Sequence, residues 1–332
     1  MIIRLATLND SYHIQKFISE NWKSDHILAT NDDFFNYLMC TDKVPNFVIA
    51  EENNIIFGVL GFIEYSHDNS SGDVFLALLR ALKHPAQKNI GLKLIRFISE
   101  HYKQNINVVG VNLNILQYYR FLNFYTGYLH HYFWLNSDSP NFRKYCLEGN
   151  KNKNPQHNIY RLNNLQFEPL NNQLVLENKL LVQFQSNAGF KSPTFIYHRY
   201  INHPKYKYQL FTLLDEKNKQ CGIGVIRLVY PFGTPAIKII DWIGDIKFLP
   251  HFCNFVIFKA IEMNADYVDL YCSGVEDDHI FTSGLSKINI NTIIPNYLEP
   301  LIMKNIDIAF ASSTQANPIF FRGDGDQDRP SI

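Results

Sequence analysis

The chain has 332 residues, of which 46% are hydrophobic and 14% aromatic, and its 31 Lys and Arg are matched by 31 Asp and Glu. Such a length predicts roughly two domains of about 150 residues each, and so much apolar material excludes global disorder. The balanced charge leaves no basic excess to hold a phosphate backbone, so no general nucleic-acid binding is expected.

The opening IIRLAT alternates as a strand does, and its apolar part is too short for a signal-peptide core. Asn9 and Asp10 stand where they would cap a helix carrying Ile14, Phe17 and Ile18 at helical spacing, ending near Asn21. Phe34 to Leu38 reads as a second, short helix. FVIAEE and IIFGVLGFIEY flank Asn53 and Asn54 as a β-hairpin. Its apolar run Ile55–Ile63 is about half of a bilayer span, so no membrane insertion is expected. DVFLALLRAL reads as a buried strand ended by Pro85. A helix with Leu92, Leu94, Ile95 and Ile98 on its apolar face then begins near Gly91. NVVGVNL is a strand, Leu116–Leu122 a short helix, and YTGYLHHYFWL a long strand. The predicted order over residues 1–136 is β-α-α-β-β-β-α-β-α-β.

Residues 137–165 are largely polar, and KNKNPQHN within them reads as a linker or an edge hairpin turn. In residues 166–332 the order repeats loosely. A helix is expected over Pro193–Ile201, then a hairpin of YQLFTLL and GIGVIRLVYP around DEKNKQ. The strand AIKIIDWIG, a helix over Leu249–Met263 and the strand DYVDLYC follow. The five cysteines (Cys40, Cys146, Cys221, Cys253 and Cys272) are odd in number and form no CxxC. They predict neither a disulfide framework nor a zinc site, which fits a cytoplasmic protein.

The stretch with the most chemistry is KHPAQKNIGLKLIRFI, Lys83–Ile98. A strand ends, a polar loop follows, and a glycine opens a helix. The first N–H groups of a helix have no intrahelical partner, and the helix dipole adds positive potential there. That end is suited to a phosphate or pyrophosphate, with Gly91 permitting close approach and Lys88 and Lys93 adding charge.

This loop resembles the acyl-CoA pyrophosphate loop of the GNAT family of N-acyltransferases, in which Arg or Gln, Gly, and Gly or Ala stand at the positions of Lys88, Gly91 and Lys93. Gly91 is kept, Lys88 preserves the charge, and Lys93 replaces a small residue. NLNILQYYRFLNF, Asn112–Phe124, resembles a later motif of the same family: Tyr119 and Phe124 match, Asn114 falls where the family often has Asn, and Asn123 replaces a Gly. Asn tolerates left-handed backbone better than most residues. The resemblance covers residues 1–136 in element order. It implies an α/β (α+β) fold of two GNAT-like domains, each a mixed, mostly antiparallel sheet flanked by helices. It also implies acetyl-CoA or another acyl-CoA as co-substrate, held by Lys88, Asn89, Ile90, Gly91, Leu92, Lys93 and Asn114. Tyr119 would be the acid that protonates the departing thiolate. An amine acceptor must lose a proton; Glu64, His67, Asp73 and His84 are the candidate bases, and Glu64 and Asp73 are taken forward with Tyr119 as catalytic residues.

The second half has no glycine loop before its helix. It carries polar residues beside aromatics and turn formers: HRYINHP, DWIGD, IIPNYLEP and FRGDGDQDRP. These name Asp241, Asp245, Asn296, Tyr297, Asp324 and Asp326 as candidate substrate ligands, although Gly-Asp and Pro-Asn are equally ordinary turn chemistry. Asp324, Asp326 and Asp328 alternate like a calcium loop, but Arg329 stands where such a loop needs Gly and no acid follows at the twelfth place. No metal is expected. The phenylalanines of NPIFFRGDG point instead to a tail docked on the second domain. As a whole the pattern resembles proteins encoded among bacterial surface-polysaccharide genes, which implies a small-molecule amino-sugar acceptor. The leading expectation is an acyl-CoA-dependent N-acyltransferase. The alternatives are a non-catalytic protein binding a nucleotide-sugar or a partner enzyme, and a Fem-like aminoacyl transferase. Nothing in the sequence specifies an oligomeric state.

Overall fold

The computed structural model describes residues 1–65, 73–102, 105–146, 165–170, 191–295, 301–314 and 317–330. Asn296, Tyr297, His67 and the KNKNPQHN segment lie outside the described residues. In chain order the main elements begin with β1 (Ile2–Leu5), α1 (Ser11–Asn21), α2 (Asp32–Met39), β2 (Phe47–Glu52) and β3 (Ile55–Glu64). Next come β4 (Val74–Ala81), α3 (Ile90–His101), β5 (Ile106–Val109), α4 (Leu113–Phe121) and β6 (Tyr125–Leu135). Then follow β7 (Gln166–Pro169), β8 (Tyr208–Leu214), β9 (Gln220–Val229), β10 (Ala236–Gly244), α5 (Leu249–Glu262), β11 (Tyr267–Cys272) and β12 (Ile308–Ser312). The chain divides into two compact units: one of Met1–Thr126, Ala309–Gln315 and Arg329–Ile332, and one of Gly127–Ile308 and Ala316–Asp328.

The first unit's sheet runs β1-β2-β3-β4-β5-β12, antiparallel throughout except for the parallel pair β4–β5. Local chemistry explains most of its elements. Asn53 and Asn54 take φ 50° and 62°, the two positive values that a type I′ hairpin turn requires. Asn31 accepts a hydrogen bond from the Phe34 N–H at 2.8 Å, so α2 starts at Asp32, two residues before its apolar pattern. The α3 residues Ile90, Leu94, Ile95 and Ile98 bury themselves in a core that also takes Val48, Leu60, Leu76, Val108 and Ala311.

Two irregularities shape this sheet. Between Leu60↔Leu79 and Phe62↔Leu76 the register slips by one, so Ala77 and Leu78 of β4 oppose Gly61 alone in a β-bulge. And β4 pairs with β5 only at Val74↔Ile106 and Phe75↔Asn107. Beyond that point the ladder between them ends. A buried polar network holds the closed end: Asp73 accepts from Asn105 Nδ2 (3.0 Å) and Asn107 Nδ2 (2.8 Å), and Asn107 Oδ1 accepts from Ser312 Oγ on β12 (2.6 Å).

The second unit's sheet runs β7-β8-β9-β10-β11-β6, with the same succession of antiparallel pairs and one parallel pair, β10–β11. The parallel pairing is again short, from Ile237↔Val268 to Ile239↔Leu270. Again the strand before the helix is bulged: Val225 opposes Asp241 and Ile226 opposes Ile239, so Ile240 is the extra residue. Over Pro193–Ile201 a single α-helix was expected. The chain instead makes one α-helical turn, Pro193–Ile196, that widens into a π-helical turn, Tyr197–Ile201, and Arg199 and Tyr200 are buried there. The strand β12, Ile308–Ser312, is an element that the sequence pattern does not predict.

Candidate active site

In the first unit the loop Lys88–Lys93 leads into α3, the helix after β4, and Asn114 lies in the first turn of α4, the helix after β5. Asn89 takes left-handed backbone (φ 57°) as the N-cap of α3, and its side chain makes no capping bond. The first-turn amides of α3 are therefore not satisfied by their own cap residue. Lys88 and Asn89 are exposed and Ile90 is buried beneath them. Gly91 has no need of its own to be glycine: a Cβ there meets nothing closer than 3.9 Å, at Ala81 and Leu79. Lys93 leans back across the loop, its Nζ 2.7 Å from Gln87 Oε1. The loop is anchored at its start by His84. Its Nδ1 accepts from the Ala86 N–H (3.1 Å), its Nε2 lies 2.9 Å from Glu52, and its ring stands edge-on to Phe57.

Asn114 is exposed in the first turn of α4, its N–H donating to the N-cap residue Asn112 (2.9 Å). On the inner face of that helix Tyr119 is 1% exposed and packs edge-to-face on Phe124, in the core that holds Val108 and Val111. Burial pushes its hydroxyl above the ordinary tyrosine value, so the proton stays on oxygen. Asn123 takes φ 61° just past the helix, the left-handed conformation with which helices commonly end.

The two carboxylates named as bases lie elsewhere. Glu64 pairs with Val74 at the closed end of β4 and accepts a 2.5 Å bond from Tyr102 Oη. Asp73 precedes Val74 and is held by two Asn amides. At about 3.3 Å per strand residue, both are some 10 Å along β4 from the bulge.

In the second unit the polar residues form a buried ionic array. Asp241 has no exposed surface. Lys191 Nζ donates to both its oxygens (2.8 and 2.6 Å), Tyr200 Oη to one of them (2.6 Å), and the Trp242 N–H to the other (2.9 Å). Lys191 also meets Asp324 at 2.9 Å. Burial draws the Lys191 ammonium down, but Asp241 and Asp324 outweigh it and hold its pKa above the ordinary value. Burial raises Asp324 above the usual carboxylate range, with Lys191 opposing. Asp328 binds Arg227 (Nη2 at 2.9 Å, Nε at 3.1 Å) and accepts from Tyr208 Oη at 2.7 Å. Asp269 is shared by Lys238 (3.1 Å), Arg322 (3.2 Å) and His131 (3.4 Å). Burial, then Arg322, pulls the Lys238 ammonium down to about 7 against the pull of Asp269. Asp326 is buried beside Gln327, and Asp245 caps a short turn through the Lys247 N–H. Asp241 and Asp324 thus neutralise Lys191 inside the fold; they do not face solvent. Arg322 stands beside the tail acids in the sequence and could be expected to neutralise them; Lys191, Arg227 and Lys238 lie far along the chain from the acids they pair with and meet them only in the fold. Among the described residues no group of three or more His, Cys, Asp or Glu is placed to hold a metal, and no helix is long and apolar enough to cross a membrane.

No family model matches the chain, and neither does any curated protein. Solved structures do. A GCN5-related N-acetyltransferase from Anabaena variabilis matches over 94% of this chain and 72% of its own, with TM-score 0.57 at 12% identity. A conserved protein of unknown function from Enterococcus faecalis, described as a probable N-acyltransferase, matches over 93% of this chain and 72% of its own (TM-score 0.55, 8% identity). A GCN5-related N-acetyltransferase from Kribbella flavida matches over 94% and 71% (TM-score 0.50, 10% identity). The chain has a GNAT-like fold; at such identities the likeness establishes that and no more.

Proposed function

We propose that the protein is an N-acyltransferase that takes its acyl group from acetyl-CoA or another acyl-CoA bound to the first unit. The observation that carries this reading is the β4–β5 pair. It is clamped by Asp73, Asn105, Asn107 and Ser312 at one end, bulged at Ala77–Leu78, and open toward the uncapped N-terminus of α3 at the other. A pantetheine arm is a chain of amides. It needs strand edges whose N–H and C=O groups lack a neighbouring strand, which a separated parallel pair supplies. The pyrophosphate would lie on the amides of Ile90, Gly91 and Leu92 with Lys88 and Lys93 beside it. The bulge leaves one β4 residue outside the ladder, in position to offer an N–H to a thioester carbonyl whose oxygen gains charge as the amine attacks. The amine's nitrogen–carbon bond forms and the carbon–sulfur bond breaks; the amine sheds its proton to solvent water, the departing thiolate takes one from Tyr119, and solvent returns a proton to the tyrosinate. The acceptor is an amine, and an amino sugar is the class to screen first, on the resemblance to surface-polysaccharide proteins.

Calorimetric titration of acetyl-CoA into the wild type and into Gly91→Trp tests this. A Cβ at Gly91 makes only ordinary contact with Ala81 and Leu79, and an indole there is expected to block a pyrophosphate's approach to the loop; circular dichroism of the variant checks that it folds. Binding that the substitution abolishes supports the site. A second reading, a protein that binds a nucleotide-sugar without catalysis, draws on Lys93, whose contact with Gln87 closes over the loop. Binding of a nucleotide-sugar, with none of acetyl-CoA, would favour it.

A further inference from the structure

The second unit repeats the first down to its irregularities: a bulge in the strand before the helix, and a parallel pair that holds for only a few residues before the ladder ends. In the first unit, among the described residues, no third segment hydrogen-bonds across that gap. In the second one does. The Gly323 N–H donates to Ile240 O, the carbonyl of the bulged residue, at 2.8 Å. On the opposite side Phe321 bridges antiparallel to Cys272, and the Ser273 N–H donates to Phe320 O at 2.9 Å. Ser273 Oγ accepts from the Phe320 N–H (3.1 Å) and donates to Pro318 O (2.9 Å). The segment therefore meets the edge of β10 at Ile240 and the end of β11 at Cys272 and Ser273, so a foreign amide chain would have to displace it there.

The side chains of this segment fit it as closely. Phe320 and Phe321 are buried, at 0% and 3% exposure. Gly323 must be glycine: a Cβ there would stand 3.0 Å from Ile240 O and run into Tyr200 Oη. Asp324 supplies one of the two carboxylates on Lys191, and Asp328 is the acid bound to Arg227. Withdrawing the segment would leave both cations short of a buried partner. Losing one member of a buried pair is strongly unfavourable, because the remaining charge stays desolvated.

We infer that Ile319–Asp328 is a resident occupant of the second unit's strand gap, an internal substitute for a donor's pantetheine arm, so that this unit takes no acyl-CoA and the chain binds one donor molecule, not two. That the gap is a donor slot at all rests on the function proposed above; the permanence of the occupant does not.

The test is amide hydrogen exchange on the full-length wild type, alone and with acetyl-CoA at millimolar concentration. The occupant's amides, Ile319–Asp328, are expected to exchange within about tenfold of those of β10 and β11, as members of one cooperative unit do, and to be unchanged by acetyl-CoA. Exchange of this segment many-fold faster than the flanking strands, or its release when acetyl-CoA is added, would overturn the inference and make it a displaceable lid. The loop Lys88–Lys93 reports separately on the first unit. If it shows no protection while the tail stays slow, the donor site fails and the permanent occupant stands.

Discussion

At the scale of single residues, side chains that the sequence presents as alike divide by partner. Asp73, Asp241 and Asp324 read as candidate site acids, yet each is buried with its partners already chosen. Their presence was legible and their employment was not, because the Asn amides and the lysine that meet them come from distant parts of the chain. The helices that carry Tyr119 and Gly91 were legible, since each belongs to a local pattern of strand, turn and helix. If Tyr119 supplies the proton, Tyr119→Phe should lower kcat by roughly 10²-fold, a general acid's usual contribution, and leave acetyl-CoA affinity unchanged. Steady-state kinetics beside calorimetry would read both. Asp328 yields a prediction in pH. Burial alone would raise its carboxyl, but Arg227 and then Arg322 outweigh that and hold it at about 2, below its ordinary 3.8. A depressed folded-state value means stability that is fully present above about pH 4 and is lost as pH falls toward 2, worth about 2 kcal/mol. Urea melts across that window should show Asp328→Asn, already weakened at neutral pH, losing less on acidification than the wild type.

At the scale of elements, the proposed function rests on the first unit's parallel pair, and the hairpins around such pairs were the easiest part to read. Asn53 and Asn54, and the DEKNKQ turn, announce their hairpins through turn chemistry. The bulges at Ala77–Leu78 and Ile240 announce nothing, since a register slip depends on the partner strand. β12 was missed for a related reason: its pairing partner, β5, lies some 200 residues earlier. The Asp73 clamp makes a prediction that separates a positioning role from a catalytic one. Asp73→Ala leaves Asn105 and Asn107 without their acceptor and should cost about 1–3 kcal/mol in stability. Asp73→Asn, which retains an acceptor oxygen, should recover much of that and keep the pH–rate profile of the wild type. A general base at this position would instead lose the acidic limb of the profile on Asp73→Asn.

At the scale of the whole molecule, residues 309–315 complete the first unit's sheet, and residues 316–328 belong to the second. A repeat of element order was legible in the sequence; the exchange of its last strand was not. One consequence is that removing residues 309–332 should damage both units: β5 would lose its partner β12, and Lys191 and Arg227 would lose Asp324 and Asp328. Circular dichroism and thermal melts of the shortened chain should show loss of cooperative folding, not the trimming of a loose end. The proposed function places one acyl-CoA at the loop Lys88–Lys93. Calorimetry of acetyl-CoA on the wild type and on Gly91→Trp tests it most directly. The predicted result is binding to a single site per chain in the wild type and none in the variant. No heat with the wild type at millimolar ligand, or undiminished binding by Gly91→Trp, would contradict it.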